Sequence, residues 1–451
     1  MREYDLVIVG AGSGNMLLDD SFSGWRIAIV ESDRFGGTCL NRGCIPSKMF
    51  VYAGDVAQSV RHAERYGVHA EWRGADWSAI RDRIFSRIDP LHARAVEFRR
   101  RNGVDVYLGE TWFVDRKVMA VGEELLHGEH IVLAVGSRPK VPDIPGLGKV
   151  EYHTSDTIMR LDSLPASMVV IGGGFIAAEM SHVFGALGSE VTIVHRGPDL
   201  LASHDRDIRE RFTQCYGARF DLRLDTTVEE VSQTSVGVAL NLISAGRPSR
   251  IEAEILLVAT GRVPNSDRIQ SATGGLALDE HGHIRTDDTY ATNVQSVFAF
   301  GDLANHFQLK HMANAETRIV RHNLLHPDAP RRAGFTVVPA AVFADPQVAS
   351  VGMTEQELEH EGRPYAAGRC DYSSTAYGWA LEDTTSFVKV LADPDSRQLL
   401  GAHVIGPQAS ILIQPLIQAM CLGNTVDEVS SGVLYIHPAL SEAVEQALLE
   451  I

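Results

Sequence analysis

Two cysteines, Cys39 and Cys44, stand with four residues between them in GGTCLNRGCIPSK, residues 36 to 48. Thiols at that spacing can close as a disulfide and open again, and the flanking glycines and proline give the segment a defined shape. The chemistry on offer is the storage and release of two electrons. The competing uses are two structural thiols on a helix or half of a metal site. Zinc normally takes four ligands with tighter cysteine spacing, and no second cysteine pair occurs, so a redox pair is favoured and no metal is expected. Cys215, Cys370 and Cys421 are isolated and read as core or inert thiols.

A redox pair needs an electron source beside it, and the sequence around it carries two nucleotide-binding patterns. YDLVIVGAGSGN (4 to 15) is an apolar strand entering a glycine-rich turn, and RIAIVESD (26 to 33) is a second strand delivering Glu31. In such a βαβ unit Gly10 makes the tight turn, Gly12 lets a pyrophosphate approach the next helix, and the acid accepts ribose hydroxyls. Asn15 stands where a third glycine is usual, and the helix expected there is short and carries Asp19 and Asp20. A second copy, MVVIGGGFIAAE (168 to 179), is followed by the strand EVTIVHR (190 to 196). There Gly172, Gly174 and Ala177 hold the three fingerprint positions. His195 and Arg196 replace the ribose-binding acid, and as cations they would suit a 2′-phosphate, which favours NADPH over NADH.

Further along, IVLAVGSRP (131 to 139) and ILLVATGRVPN (255 to 265) end in similar turns at Gly136 and Gly261 and mark crossings between domains. VFAFGDL (297 to 303) delivers Asp302 at a glycine turn, where it can accept a hydrogen bond from a polyol. The last stretch changes character: strand-like runs at 339 to 344, 386 to 392 and 399 to 406 precede apolar helical segments near 410 to 423 and 440 to 449. It reads as a separate α+β domain.

Composition fits this picture. A chain of 451 residues is long enough for about three domains. The net charge of −17 argues against nucleic acid or an anionic membrane as a partner. No apolar run approaches the roughly 18 residues of a membrane span, and the chain enters a strand at once, so a cytoplasmic protein is expected. Of the 41 basic residues only 6 are lysine.

Taken together, GAGSGN, GGTCLNRGCIPSK, GGGFIAAE, ATGRVPN, AFGDLA and HPALSE (437 to 442) resemble the pyridine nucleotide-disulfide oxidoreductases over essentially the whole chain. The resemblance implies an α/β fold with two Rossmann-like domains and a C-terminal α+β dimerisation domain. The divisions are 1–148 and 266–332 for the FAD domain, 149–265 for the NADPH domain and 333–451 for dimerisation. It implies FAD held by Gly10, Gly12, Gly14, Glu31, Gly37, Thr38, Lys48, Gly136 and Asp302. NADPH would meet Gly172, Gly174, Ala177, His195, Arg196 and Gly261. It also implies a homodimer in which the partner's C-terminal domain completes the active site.

In that family frame Cys44 is the flavin-side thiol and Cys39 the interchange thiol that attacks substrate. A helix N-terminus and a nearby cation favour a thiolate at Cys44, and Pro46 suits the first turn of such a helix. His437 fits the acid and base for Cys39, because imidazole titrates near neutrality, with Glu442 orienting it. Lys48 and Glu179 resemble the family's buried ion pair near the flavin, and each needs the other to be buried at all.

The substrate is expected to be a small disulfide. The first helix offers aspartates where glutathione reductases place an arginine, which counts against glutathione disulfide. His195 replaces an acid usual in lipoamide dehydrogenases, which leaves that reading as the alternative. Within the family the chain is most similar to the mycothione reductase branch, whose substrate is hydroxyl-rich.

Overall fold

All 451 residues are described in the computed structural model. The apolar run LVIV can lie only where both sheet faces are covered, and it forms the buried half of β1 (Arg2–Val9). That strand pairs in parallel with β2 (Ile27–Glu31) on one side and with Glu124–Leu133 on the other. Asp105–Leu108 extends the sheet beyond β2, and the antiparallel strands Val118–Val121 and Thr111–Asp115 close the other edge. Val297–Ala299 also pairs with Glu124–Leu133, so the chain leaves this sheet and later returns to it.

The excursion builds the second unit. Ser167–Ile171 sits between Glu190–Val194 and Ile255–Val258 in a four-stranded parallel sheet edged by Asp221–Arg223. A three-stranded meander over residues 226–253 packs nearby. Ser137–Pro139 pairs with Arg262–Pro264 where the chain goes out and comes back. The C-terminal region is a five-stranded antiparallel sheet with the helix Ser441–Leu449 packed on it. The two parallel units and the antiparallel third region match the fold class expected from the sequence.

The helices that position the site are α1 (Gly37–Asn41), α2 (Cys44–Arg61), α3 (Trp77–Arg101), α4 (Phe175–Leu187), α5 (Arg206–Gly217) and α6 (Lys310–Leu325). Helix α4 runs from its N-cap Gly174 to the stop at Gly188 and is buried on nearly every side, so packing rather than propensity holds it. Phe50 of α2, Trp77 of α3 and Phe184 of α4 stack with ring centroids 5.0 Å apart, locking three helices around one core. Each fully buried aromatic there contributes roughly 1.5–3 kcal/mol.

One sequence expectation fails. No α-helix follows the first fingerprint; the chain makes two 3-10 turns, Gly14–Leu17 and Asp20–Phe22. Asp19 accepts the Ser21 N–H at 3.0 Å, the local competition by which short polar side chains divert a helix. The carbonyls a helix would have paired are taken by arginines: Arg99 of α3 bonds the Asn15 carbonyl, and Arg321 of α6 bonds those of Met16 and Leu17. No helix is long and apolar enough to cross a membrane.

Candidate active site

The first nucleotide turn and the thiol segment are built against each other. Gly10 has φ +99, and a Cβ there would lie 2.4 Å from the Ala134 carbonyl oxygen, so only glycine serves. Gly37 has φ +60, and its Cβ would meet the Gly12 Cα at 2.8 Å. The two backbones therefore touch, and the Gly36 N–H donates to the Ala11 carbonyl at 2.9 Å. Asn41 stiffens the thiol segment by donating to the Phe35 and Gly37 carbonyls at 3.1 and 2.9 Å.

A break at Arg42–Gly43 separates α1 from α2 and sets Cys39 and Cys44 on facing turns, both as free thiols. They are electrostatically unequal. Cys44 is lowered to about 7, first because the Cys39 thiol donates to it and, against burial, because the Lys48 ammonium is near. Cys39 is pushed far up by that same bond and by burial. The first of the two protons to leave the pair therefore leaves from Cys44.

Lys48 donates to both carboxylate oxygens of Glu179, at 2.7 and 2.8 Å, and Glu179 also accepts the Phe343 N–H at 3.1 Å. Seven residues along α2, Asp55 pairs with buried His182 of α4 at 2.8 Å. Gly54 lets the helices approach, since a Cβ there would already be 3.3 Å from His182. The thiol helix is clasped to the second unit by two polar contacts across one close face.

One cavity of about 480 Å³ joins these parts. Its walls include Gly10, Gly12 and Glu31 at one side, Gly136 and Asp302 between, and Gly37, Thr38, Cys39, Cys44, Lys48 and Glu179 at the other. Glu31 is buried and accepts the N–H groups of Ala11 and Asp33 at 2.7 and 2.9 Å; burial pushes its pKa up. Asp302 accepts from the Ser137 hydroxyl at 2.7 Å. The side-chain-free turn, the acid at the strand end and the acid at mid-cavity form a donor and acceptor set that fits FAD. Gly14 departs from expectation: it does not line the cavity, and its Cβ position is 2.9 Å from Ile8 and 3.2 Å from Ala134. It performs the close packing expected of a third glycine one residue early, which frees Asn15 to accept from Arg99 Nε at 2.7 Å.

The glycines of the second turn do not line this cavity, although Phe175 and Ile176 directly after them do. Gly172 (φ +135) folds back as Gly10 does, Gly174 opens α4 with no neighbour at its Cβ position, and Ala177 is buried. Gly261 bends the returning strand. Arg196 is exposed, but His195 corrects the sequence reading. Its ring is wedged against Gly173 and Gly197, and burial and then Arg196 lower its pKa, leaving it neutral at pH 7. Only Arg196 of that pair offers a cation.

His437 Nδ1 lies 2.7 Å from Glu442, which also accepts the Ala439 N–H at 3.2 Å; these bonds lower the pKa of Glu442. The pair is formed, yet within one chain it does not line the thiol cavity. Residues the sequence reading missed do line it. Lys310 of α6 bonds Ser13 at 2.8 Å, and its charge acts on Cys39, while Arg262 donates to the Ser137 hydroxyl at 2.8 Å. The scarcity of lysine was a signal: Lys48 and Lys310, two of the six, face this site.

The family model of the pyridine nucleotide-disulphide oxidoreductases matches residues 4–317, and that of their dimerisation domain matches residues 338–448. The chain belongs to the pyridine nucleotide-disulphide oxidoreductases. It is similar over 100% of its length, at 45% identity, to a mycothione reductase of Mycobacterium tuberculosis, of which 99% is covered. A dihydrolipoyl dehydrogenase of Haloarcula marismortui is 34% identical over 98% of this chain and 95% of that protein. Among solved structures, the HOCl-induced flavoprotein disulfide reductase RclA of Escherichia coli superposes with a TM-score of 0.87 at 26% identity, covering 99% of each chain. As a member of the family the chain is an oxidoreductase with FAD and NADPH as cofactors and a dimerisation domain at its C-terminal end.

Proposed function

We propose that the chain is a homodimeric mycothione reductase of the cytoplasm, which uses NADPH to keep a cysteinyl glucosamine-inositol thiol reduced. The observation that carries the chemistry is the pair of free thiols at the cavity wall, with Lys48 on the helix that Cys44 opens, an arrangement that lowers the Cys44 pKa and raises that of Cys39. The substrate reading is supported by the 45% identical relative and by Asp20, an exposed acid on the second 3-10 turn that disfavours a polyanionic disulfide, whereas Asp19 is paired with Arg321.

Gly10, Gly12, Glu31, Gly37, Thr38, Gly136 and Asp302 would hold FAD, with Lys48 at its reactive end. Gly172, Gly174, Ala177, Arg196 and Gly261 would hold NADPH. Bound FAD supplies the relay that takes two electrons from NADPH and delivers them to a disulfide. The rest is done by side chains. His437 of the partner subunit, oriented by Glu442, takes the Cys39 proton, and the Cys39 thiolate attacks one sulfur of the substrate disulfide. That S–S bond breaks, a mixed disulfide forms on Cys39, and the departing thiolate takes the proton from His437. Cys44 then attacks the Cys39 sulfur, re-forming the Cys39–Cys44 disulfide and releasing the second thiolate, which takes its proton from solvent. Two electrons have passed from the pair to two product thiols.

The test is NADPH oxidation by the FAD-loaded enzyme with mycothiol disulfide, lipoamide and glutathione disulfide in parallel. The expected result is a kcat/KM at least about 10-fold higher for mycothiol disulfide. Equal or better turnover of lipoamide would overturn the substrate reading and favour a dihydrolipoyl dehydrogenase.

A further inference from the structure

Away from the thiol cavity the fold gathers Asp279, His283 and His306, each with a ligand atom within 4.8 Å of the others. Asp279 Oδ2 lies 3.3 Å from His283 Nδ1 and 3.2 Å from His306 Nε2. The two imidazole centroids are 4.2 Å apart, and the His281 ring is 5.5 Å from that of His306. The cysteine spacing leads the sequence reading to expect no metal, and these side chains, which come from two separate segments, do not enter it.

The scaffold fixes the three side chains. Leu278 and Ile284 bridge across a tight turn that closes with the Asp279 N–H donating to the His283 carbonyl at 2.9 Å. Asp279 Oδ1 accepts the N–H groups of His281 and His283 at 2.9 and 2.8 Å, which leaves Oδ2 for the imidazoles. The Ile284 N–H donates to the Leu303 carbonyl at 2.9 Å, tying the turn to the segment that carries Asp302. Asn305 accepts the N–H groups of Phe307 and Gln308 and so shapes the loop around His306.

An independent observation points to a ligand. His283 is only 6% exposed, yet its Nε2 has no hydrogen-bond partner, and Nδ1 has only the Asp279 carboxylate, 3.3 Å away. A buried polar group left unsatisfied costs about 1–3 kcal/mol, and a metal ion accepting a ring lone pair would remove part of that cost.

We propose that Asp279, His283 and His306 form a binding site for one divalent transition-metal ion of the zinc and copper class. Two imidazoles and one carboxylate suit these ions, whereas magnesium and calcium want oxygen ligands. Water completes the shell on the exposed His306 side, with His281 nearby. A bound ion would pin the 278–284 turn to the loop after Asp302.

The test titrates zinc chloride into the flavin-loaded enzyme with the Cys39–Cys44 disulfide closed, so that the pair offers no thiolate. The expected result by calorimetry is one zinc ion per chain, with affinity weakened at least about 10-fold in His306→Gln and in Asp279→Asn. His306 is largely exposed, so its replacement leaves the core intact, and metal-free disulfide turnover should be unchanged in both variants. Copper(II) bound to the unaltered enzyme should show nitrogen hyperfine coupling from two imidazoles by electron paramagnetic resonance, and from one in His306→Gln. Absence of zinc binding, unchanged affinity in either variant, or a copper spectrum without nitrogen coupling would overturn the proposal.

Discussion

In the first nucleotide unit β1 ends at Gly10, whose Cβ position is 2.4 Å from a carbonyl oxygen of the neighbouring strand's end; in the second, Ser167–Ile171 ends at Gly172 with the same contact at 2.2 Å. Beyond that shared turn the units part. The second continues into the 13-residue α4, while the first makes a 3-10 turn of 4 residues and another of 3. The difference follows from what each turn carries. The second meets a nucleotide and packs an ordinary helix through Ala177. The first also seats the thiol segment by backbone contact, and Arg99 and Arg321 replace the missing helix by taking its carbonyls. A nucleotide turn is thus defined by where a Cβ cannot go, and the helix is dispensable once its backbone groups are satisfied elsewhere.

The largest expected contrast is between Gly37→Ala and Gly174→Ala. At Gly37 a positive φ costs a non-glycine residue about 1–3 kcal/mol, to which the contact with Gly12 adds. Displacing the thiols should lower disulfide turnover about 10²-fold and reduce retained FAD, measured by absorbance after gel filtration. At Gly174 there is open space, so flavin content and melting temperature should hold while the NADPH KM rises about 10-fold. If both variants lose FAD equally, the units do not differ as described.

Next in size is Arg99→Ala. It strands the Asn15 carbonyl and side chain, and should cost about 1–3 kcal/mol in thermal unfolding. A neutral result would mean that the 3-10 segment needs no clamp. A smaller effect separates Arg196 from His195. Arg196→Gln should raise the KM for NADPH about 10-fold without changing that for NADH, as expected for one charge-assisted contact to a 2′-phosphate. An equal, salt-sensitive effect of His195→Gln would restore His195 as a cation.

Much of this was legible in the sequence because it is local. The Cys39–Cys44 spacing, the two glycine turns, Glu31 and the HPALSE segment each fit within about a dozen residues. What escaped depends on pairing across the chain. Arg99 lies 84 residues from Asn15, and Arg321 lies 304 from Leu17; in an arginine-rich chain nothing local selects them. Helix α3 was missed although Trp77, Ile84, Phe85, Ile88 and Val96 mark one apolar stripe, because its arginines dominate the composition. The state of His195 depends on its surroundings, where partial burial and Arg196 lower its pKa, and residue type alone does not carry that.

The smallest effect is a shift in titration. Cys44 is lowered to about 7, so its thiolate is present above that pH and lost as the pH falls through it. Cys39→Ala removes the first cause of that lowering, and the thiolate absorbance of the reduced enzyme should then titrate at higher pH. An unmoved midpoint would assign the lowering to Lys48 alone.

The central claim is that the two thiols seated on the first unit are unequal. It is tested most directly, anaerobically at pH 8, by recording the long-wavelength absorbance of a thiolate beside oxidised flavin in the unaltered enzyme after two electrons per FAD have opened its disulfide, and in Cys39→Ser and Cys44→Ser with their flavin left oxidised, since a lone thiol leaves no disulfide to reduce. The account predicts the band in the first two and its absence in Cys44→Ser, with disulfide turnover lost in both variants. A band that survives Cys44→Ser and disappears in Cys39→Ser would contradict it.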